Sequence, residues 1–120
     1  MDVNFDGSQE KMYKEQQQTY KNIIAKEERI YKIIPTGTAI QNARSSFMGD
    51  GLNRDLSHLT YDFGRYIAAL NFVYTLSGKD ISAIHYAPDG VSEKQIQLAI
   101  ESVENAGKNK FEVTQSVYKE

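Results

Sequence analysis

The chain has 120 residues, which fits one small domain, and its 40% hydrophobic content is enough for a modest core. A net charge of −2 argues against nucleic acid as a partner, because binding phosphates needs a basic surface. Cysteine is absent, which excludes disulfides, thiolate metal sites and a cysteine nucleophile. The sequence has no apolar run of membrane-spanning length and no signal peptide in residues 1–4, so it predicts no membrane contact and leaves the compartment unknown.

A helix followed by a strand is the first predicted arrangement. Ser8 is suited to capping an amphipathic helix that runs to about Arg29. Residues 29–35 are β-branched and aromatic, and they end at Pro35, so they form the clear strand of the sequence. Because a single strand leaves both edges unpaired, we expect a missing N-terminal half or a second copy of the chain to complete a sheet.

Polar residues follow the predicted strand, where ligands gather in open α/β sheets. Thr36 or Thr38 is expected to cap a short helix that ends at Arg44. Gln41, Asn42 and Arg44 are therefore candidate substrate-binding residues. The alternative is that these side chains brace the loop by hydrogen bonding to the backbone.

Asp55 and His58 are the candidate catalytic residues. Their spacing lets a carboxylate hold one imidazole nitrogen while the other takes a proton. The alternative is a turn aspartate beside an ordinary half-buried histidine. Arg65 is expected to form a structural salt bridge with Asp55 or Asp62, with a substrate carboxylate as the other option. The two histidines and scattered acids form no ligand cluster, so no metal and no other cofactor is predicted.

Two helices are predicted in the second half of the chain. Asp62 is expected to cap an apolar helix that ends near Gly78. Ser92 is expected to cap the last helix, which Gly107 closes. Residues 108–120 are predicted to form a polar tail.

The sequence around the two candidate catalytic residues reads NRDLSHL in residues 53–59 and GRY in residues 64–66, followed by an apolar helix. This block resembles the last conserved block of the SGNH (GDSL-like) hydrolases. Residues 34–44, IPTGTAIQNAR, are similar to the preceding segment in a bacterial SGNH-like subgroup of unassigned function. The resemblance runs from about Phe5 to about Ala106. It implies that residues 1–107 are the C-terminal part of an α/β, three-layer αβα (flavodoxin-like) domain, mostly helical with one clear strand.

The resemblance also implies a chemical role for two residues. The Asp-x-x-His block supplies the acid and base of a Ser-His-Asp triad in that family, so His58 would be the general base and Asp55 its orienting carboxylate. The family's nucleophilic serine lies in a Gly-Asp-Ser motif, and none of the nine serines here has that context. The implied function is part of an esterase acting on an ester such as an acylated carbohydrate, inactive alone, with full-length relatives that could be exported. The alternative is a non-catalytic, mostly helical structural or interaction domain.

Overall fold

The computed structural model describes residues 8–55 and 57–120, and the regular elements of these residues are helices. Helix α1 spans Gln9–Asn22, α2 spans Thr36–Arg44, α3 spans Phe63–Ser77 and α4 spans Glu93–Lys108. Short 3-10 turns, at Ile24–Lys26 and Gly49–Leu52, follow α1 and α2. The chain divides after Ile33 into two units, so that α1 belongs to the first and the other three helices to the second. Within the described ranges, no helix is both long and apolar enough to span a bilayer.

The predicted strand at residues 29–35 is wrong, and so is the α/β, flavodoxin-like fold class that depended on it. The described residues contain no sheet, and their β pairing is an isolated antiparallel bridge between Asn53 and Leu59. The backbone N–H and C=O groups of a single strand have no neighbouring strand to bind, and residues 30–35 accordingly form no regular element. The side chain of Tyr31 in this segment is 88% exposed. The described chain is therefore helical, and a second copy or an N-terminal half has no strand here to pair with.

Helix α1 is shorter than its sequence pattern predicts. It begins as expected, because the Ser8 hydroxyl accepts a hydrogen bond from the Lys11 amide at 3.3 Å. It ends at Asn22 instead of continuing to about Arg29. Ile23, which is β-branched and therefore a weaker helix former, is the C-cap, with φ −119°, ψ −64° and an amide that still donates to the Thr19 carbonyl.

The hydrophobic core lies among α2, α3 and α4, each of which packs against the other two. Small residues at these contacts, such as Ala43 and Ala99, are fully buried and let the helix axes approach closely. The outer face of α3 leaves Phe72, Val73 and Leu76 about half exposed. The buried apolar side chains that join in one cluster are Ala39, Ile40, Ala43, Leu52, Phe63, Tyr66, Ile67, Leu70, Ile81, Ile96, Leu98, Ala99, Ile100, Val103 and Ala106.

The predicted N-terminal caps of α3 and α4 are confirmed. The Asp62 carboxylate accepts a hydrogen bond from the Phe63 amide at 2.6 Å. Ser92 and Gln95 form a reciprocal capping box, with distances of 3.2 Å and 2.9 Å between each side chain and the other residue's amide. At its C-terminus α3 is capped by Gly78, whose φ of 66° lies in the left-handed region that favours glycine.

Residues 109–120, which we call the C-terminal strap, are bound to the helices although they form no helix or strand. The Thr114 amide donates to the Asn42 side chain on α2 at 2.7 Å. The Ser116 hydroxyl donates to the Glu101 carboxylate on α4 at 2.6 Å. The polar tail of the sequence is therefore part of the packed second unit.

The start of α2 also differs from the prediction, because neither expected threonine caps the helix. Pro35 occupies the N-cap position and gives no side-chain cap, so the capping roles expected for Thr36 and Thr38 are wrong. The Thr38 hydroxyl instead donates to the Lys110 carbonyl of the strap at 2.5 Å. The polar face of α2 therefore serves to bind the strap.

Candidate functional site

Residues 53–61, which we call the Asp–His loop, connect a 3-10 turn to α3. Backbone hydrogen bonds across the loop hold its two ends together. The Thr60 amide donates to the Leu52 carbonyl at 2.9 Å, and the Arg54 amide donates to the His58 carbonyl at 3.0 Å. These bonds fix where the side chains between them can lie.

The structure places the two predicted catalytic side chains, Asp55 and His58, in direct contact. Oδ1 of Asp55 accepts from the amides of Ser57 and His58, each at 2.7 Å. Nδ1 of His58 lies 2.9 Å from Oδ2 of Asp55. With the imidazole proton on Nδ1, this ring nitrogen donates to the carboxylate and Nε2 is left as an acceptor. Nε2 has no protein partner among the described residues, and the His58 side chain is 63% exposed.

Hydrogen bonding lowers the pKa of the Asp55 carboxyl group to about 2. The Ser57 amide is the largest cause and the His58 amide the next, while the His58 imidazole adds a smaller effect and partial burial opposes them. These donors and the imidazole favour the ionised carboxylate over the neutral acid. Asp55 therefore stays charged across the range, roughly pH 5–8, in which an imidazole can exchange protons.

Gly64 allows the Asp–His loop to pack closely against the first turn of α3. Its amide donates to the Thr60 hydroxyl at 2.8 Å. A Cβ atom at Gly64 would lie 2.6 Å from the Leu52 carbonyl oxygen, which is too close for any other residue. Leu59 packs against the core from within the loop. The loop is thus positioned by a regular helix and by the core.

Two arginines lie over one tyrosine ring beside the pair. The guanidinium carbons of Arg54 and Arg65 each lie 4.5 Å from the centroid of the Tyr61 ring, which is itself exposed. Arg54 also forms an ion pair with its neighbour in the loop, with Nη1 3.8 Å from the Asp55 carboxylate. The salt bridge predicted for Arg65 is not formed with any described carboxylate. This cluster was missed from the sequence because its members are seven and four positions apart across a loop and a helix start.

The three predicted substrate-binding residues lie on α2. Asn42 is buried, and its amide nitrogen donates to the Ser102 carbonyl at 3.1 Å while its oxygen binds the strap. Nε of Arg44 donates to the Asp50 carboxylate at 2.7 Å. Gln41 is also buried, at 8% exposure. These contacts give Asn42 and Arg44 a structural role, and substrate binding by the three residues stays a prediction.

No serine of the chain donates a hydrogen bond to the His58 ring, and all nine lie in the described ranges. The Ser102 hydroxyl is buried on α4, where it has no hydrogen-bond partner in the described structure and no access to substrate. The second histidine, His85, is exposed. Among the described residues, no group of three or more metal-binding side chains is gathered. The described site therefore consists of a carboxylate–imidazole pair and a neighbouring cationic cluster.

Comparison with known proteins gives a family and one informative structure. A family model described as a domain of unknown function, DUF4886, matches residues 1–106. The chain is similar to the crystal structure of a DUF4886 family protein from Bacteroides uniformis ATCC 8492, with 38% identity and a TM-score of 0.83. The match covers 94% of this chain and 43% of that chain, so this chain spans less than half the length of that protein. No curated protein matches significantly. The chain belongs to the DUF4886 family.

Proposed function

We propose that this chain supplies the base and its orienting carboxylate, His58 and Asp55, to an SGNH-type ester hydrolase. The observation that carries the proposal is the 2.9 Å contact between Nδ1 of His58 and the Asp55 carboxylate, with Nε2 open to solvent. The arrangement suits proton transfer because the carboxylate fixes the ring and favours its charged form. The low pKa of Asp55 keeps that carboxylate ionised while the imidazole accepts a proton.

In the proposed reaction, a serine hydroxyl outside this chain attacks the ester carbonyl. Its proton passes to Nε2 of His58 as the new C–O bond forms, and Asp55 stabilises the resulting imidazolium. His58 then gives the proton to the departing alcohol, and a water molecule, activated by the same nitrogen, hydrolyses the acyl-serine. Acylated carbohydrates are the substrates we propose. Donors for the oxyanion would also come from outside the chain, so the chain alone would lack a major source of rate enhancement.

The greater length of the Bacteroides uniformis protein supports a division of the site between two parts of one polypeptide. That protein has more than half of its chain outside the matched region, which is room for a nucleophile and an oxyanion site. The exposed apolar face of α3, formed by Phe72, Val73 and Leu76, offers a surface against which such a part could pack. We propose the remainder of a longer family protein as the partner.

The experiment uses a full-length DUF4886 protein that contains this segment. We expect a fluorophosphonate probe to label a serine outside the segment, and p-nitrophenyl acetate to be hydrolysed. His58→Ala should lower the rate by about 10²–10⁴-fold, the usual contribution of a general base. The isolated chain should show no turnover above that of free imidazole.

His85→Ala is the matched control, because His85 is also an exposed histidine but has no carboxylate contact. It should leave labelling and turnover unchanged. Turnover by the isolated chain that disappears in His58→Ala would contradict the division of the site. Absence of serine labelling in the full-length protein would contradict the hydrolase itself.

A non-catalytic helical interaction domain is the second candidate. It is favoured by the absence of a sheet from the described residues, since the resemblance to SGNH hydrolases implied a sheet. In that case the hydrogen bonds of Asp55 serve only to close the loop. The labelling experiment separates the two candidates, because this one gives no labelled serine and no effect of Asp55→Asn or His58→Ala on hydrolysis.

A further inference from the structure

An uncompensated positive charge lies next to the proposed catalytic pair. Arg54 and Arg65 share the exposed ring of Tyr61, each with its guanidinium carbon 4.5 Å from the ring centroid. Arg54 is held in place, since its Nε donates to the Leu59 carbonyl at 3.3 Å and its charge is offset by Asp55 at 3.8 Å. The Arg65 side chain makes no ion pair or hydrogen bond with any described residue.

The donors of the Arg65 guanidinium are available, because its side chain forms no hydrogen bond with any described residue. The five N–H donors of a guanidinium point outward in the plane of the group, in a fork that suits a planar acceptor. Two like charges near one ring also repel each other, and an anion bound beside them relieves that repulsion. A planar carboxylate matches the fork of donors better than a single acceptor atom does.

We propose that Arg54, Tyr61 and Arg65 form a binding site for a carboxylate on the substrate, which makes this protein selective for acidic esters. The ester part of this assignment rests on the proposed function, whereas carboxylate binding does not. Arg54 links the two sites, because its amide donates to the His58 carbonyl at 3.0 Å and its guanidinium lies beside Asp55. A carboxylate held at Arg65 would therefore bring the rest of its molecule towards His58.

The test is an NMR titration of the chain with three probes, followed through the Nε–Hε signals of its arginines. Monomethyl succinate is an anionic ester, dimethyl succinate is its neutral counterpart, and inorganic phosphate is a different anion. We expect saturable shifts of the Arg54 and Arg65 signals with monomethyl succinate and none with dimethyl succinate. Arg65→Gln should weaken binding by about tenfold or more, as expected when a charge-assisted bidentate contact is lost.

Arg29→Gln is the matched control, since Arg29 is an exposed arginine whose Nε already donates to Glu27 at 2.8 Å. It should bind monomethyl succinate as the unchanged chain does. Circular dichroism of Arg65→Gln should show the native helices, so that weaker binding reports on the site. Equal shifts with the neutral ester, equal weakening in Arg29→Gln, or no saturation would overturn the proposal. Tighter binding of phosphate than of monomethyl succinate would overturn the choice of carboxylate.

His58→Ala should leave binding of monomethyl succinate within twofold, because the imidazole contacts neither guanidinium among the described residues. Binding that persists in a full-length protein without esterase activity would refute the proposed function and support the carboxylate site. Esterase activity with equal rates on monomethyl and dimethyl succinate would support the proposed function and refute the carboxylate site.

Discussion

The Asp55 carboxylate is the acceptor on which the local hydrogen bonds of the Asp–His loop converge. Its donors are the amides of Ser57 and His58 and the imidazole of His58, all within three positions along the chain. Backbone donors hold the carboxylate in one orientation, and that orientation points it at Nδ1 of the ring. The same residue therefore shapes the loop and positions the proposed base.

We expect the Asp55 carboxyl group to titrate with a pKa of about 2, below its ordinary value of 3.8, when followed by its side-chain carbon shift in NMR. Because the pKa is lowered on folding, the stabilisation by ionised Asp55 is present above about pH 4 and is lost as the pH falls through about 2. His58→Ala should leave the pKa clearly below 3.8, since the two largest causes are backbone amides. A midpoint at the ordinary value in the unchanged chain would contradict this assignment of donors.

Contacts between elements decide whether the loop keeps its shape. The first turn of α3 approaches the loop so closely at Gly64 that an added Cβ would meet the Leu52 carbonyl oxygen at 2.6 Å. Backbone atoms of this kind cannot move aside without breaking the hydrogen bond from the Thr60 amide to the same carbonyl. The helix and the loop are therefore coupled through a glycine.

Gly64→Ala should destabilise the chain by about 1–3 kcal/mol, the usual cost of overpacking a tight contact. Urea denaturation measures this change, and the amide signals of the Asp–His loop should shift with it. Gly51→Ala is the control, because a Cβ there meets only Met48 Cε at an ordinary 3.5 Å. Its stability should change little, and a loss as large as that of Gly64→Ala would show that close approach is not the cause.

At the scale of the whole molecule, residues 34–120 hold the hydrophobic core and the strap that covers part of it. Every buried member of the core cluster lies between Ala39 and Ala106. The strap adds hydrogen bonds from its amides to Asn42 on α2 and to Ser45, the C-cap of that helix. The second unit therefore has a hydrophobic core of its own, as an independently folding domain does.

A fragment of residues 34–120 should therefore fold alone, with one cooperative urea transition and the helical signal of α2 to α4. A fragment of residues 34–108 lacks the strap and leaves the buried Asn42 oxygen without its donor. It should lose about 1–3 kcal/mol for each buried polar group left unpaired, and its transition should move to lower urea. Equal transitions for the two fragments would show that the strap contributes nothing to stability.

The sequence by itself determined the features whose partners lie within a few positions. The Asp62 cap, the Ser92–Gln95 box and the three-residue spacing of Asp55 and His58 are of this kind, because a backbone turn brings such groups together in any fold. The helical pattern of α3 and α4 was readable for the same reason. The roles proposed for the pair in catalysis stay predictions.

Tertiary structure decided the rest, because those contacts join residues far apart in the sequence. Whether residues 29–35 become a strand depends on a neighbouring strand, which local pattern cannot provide, and without one among the described residues they form no regular element. The polar tail is bound to the helices because the Thr114 amide donates to the side chain of Asn42, which lies 72 positions away in the sequence. Arg54 and Arg65 are only seven and four positions from Tyr61, but their contacts with its ring also depend on tertiary structure, because α3 approaches the loop closely at Gly64.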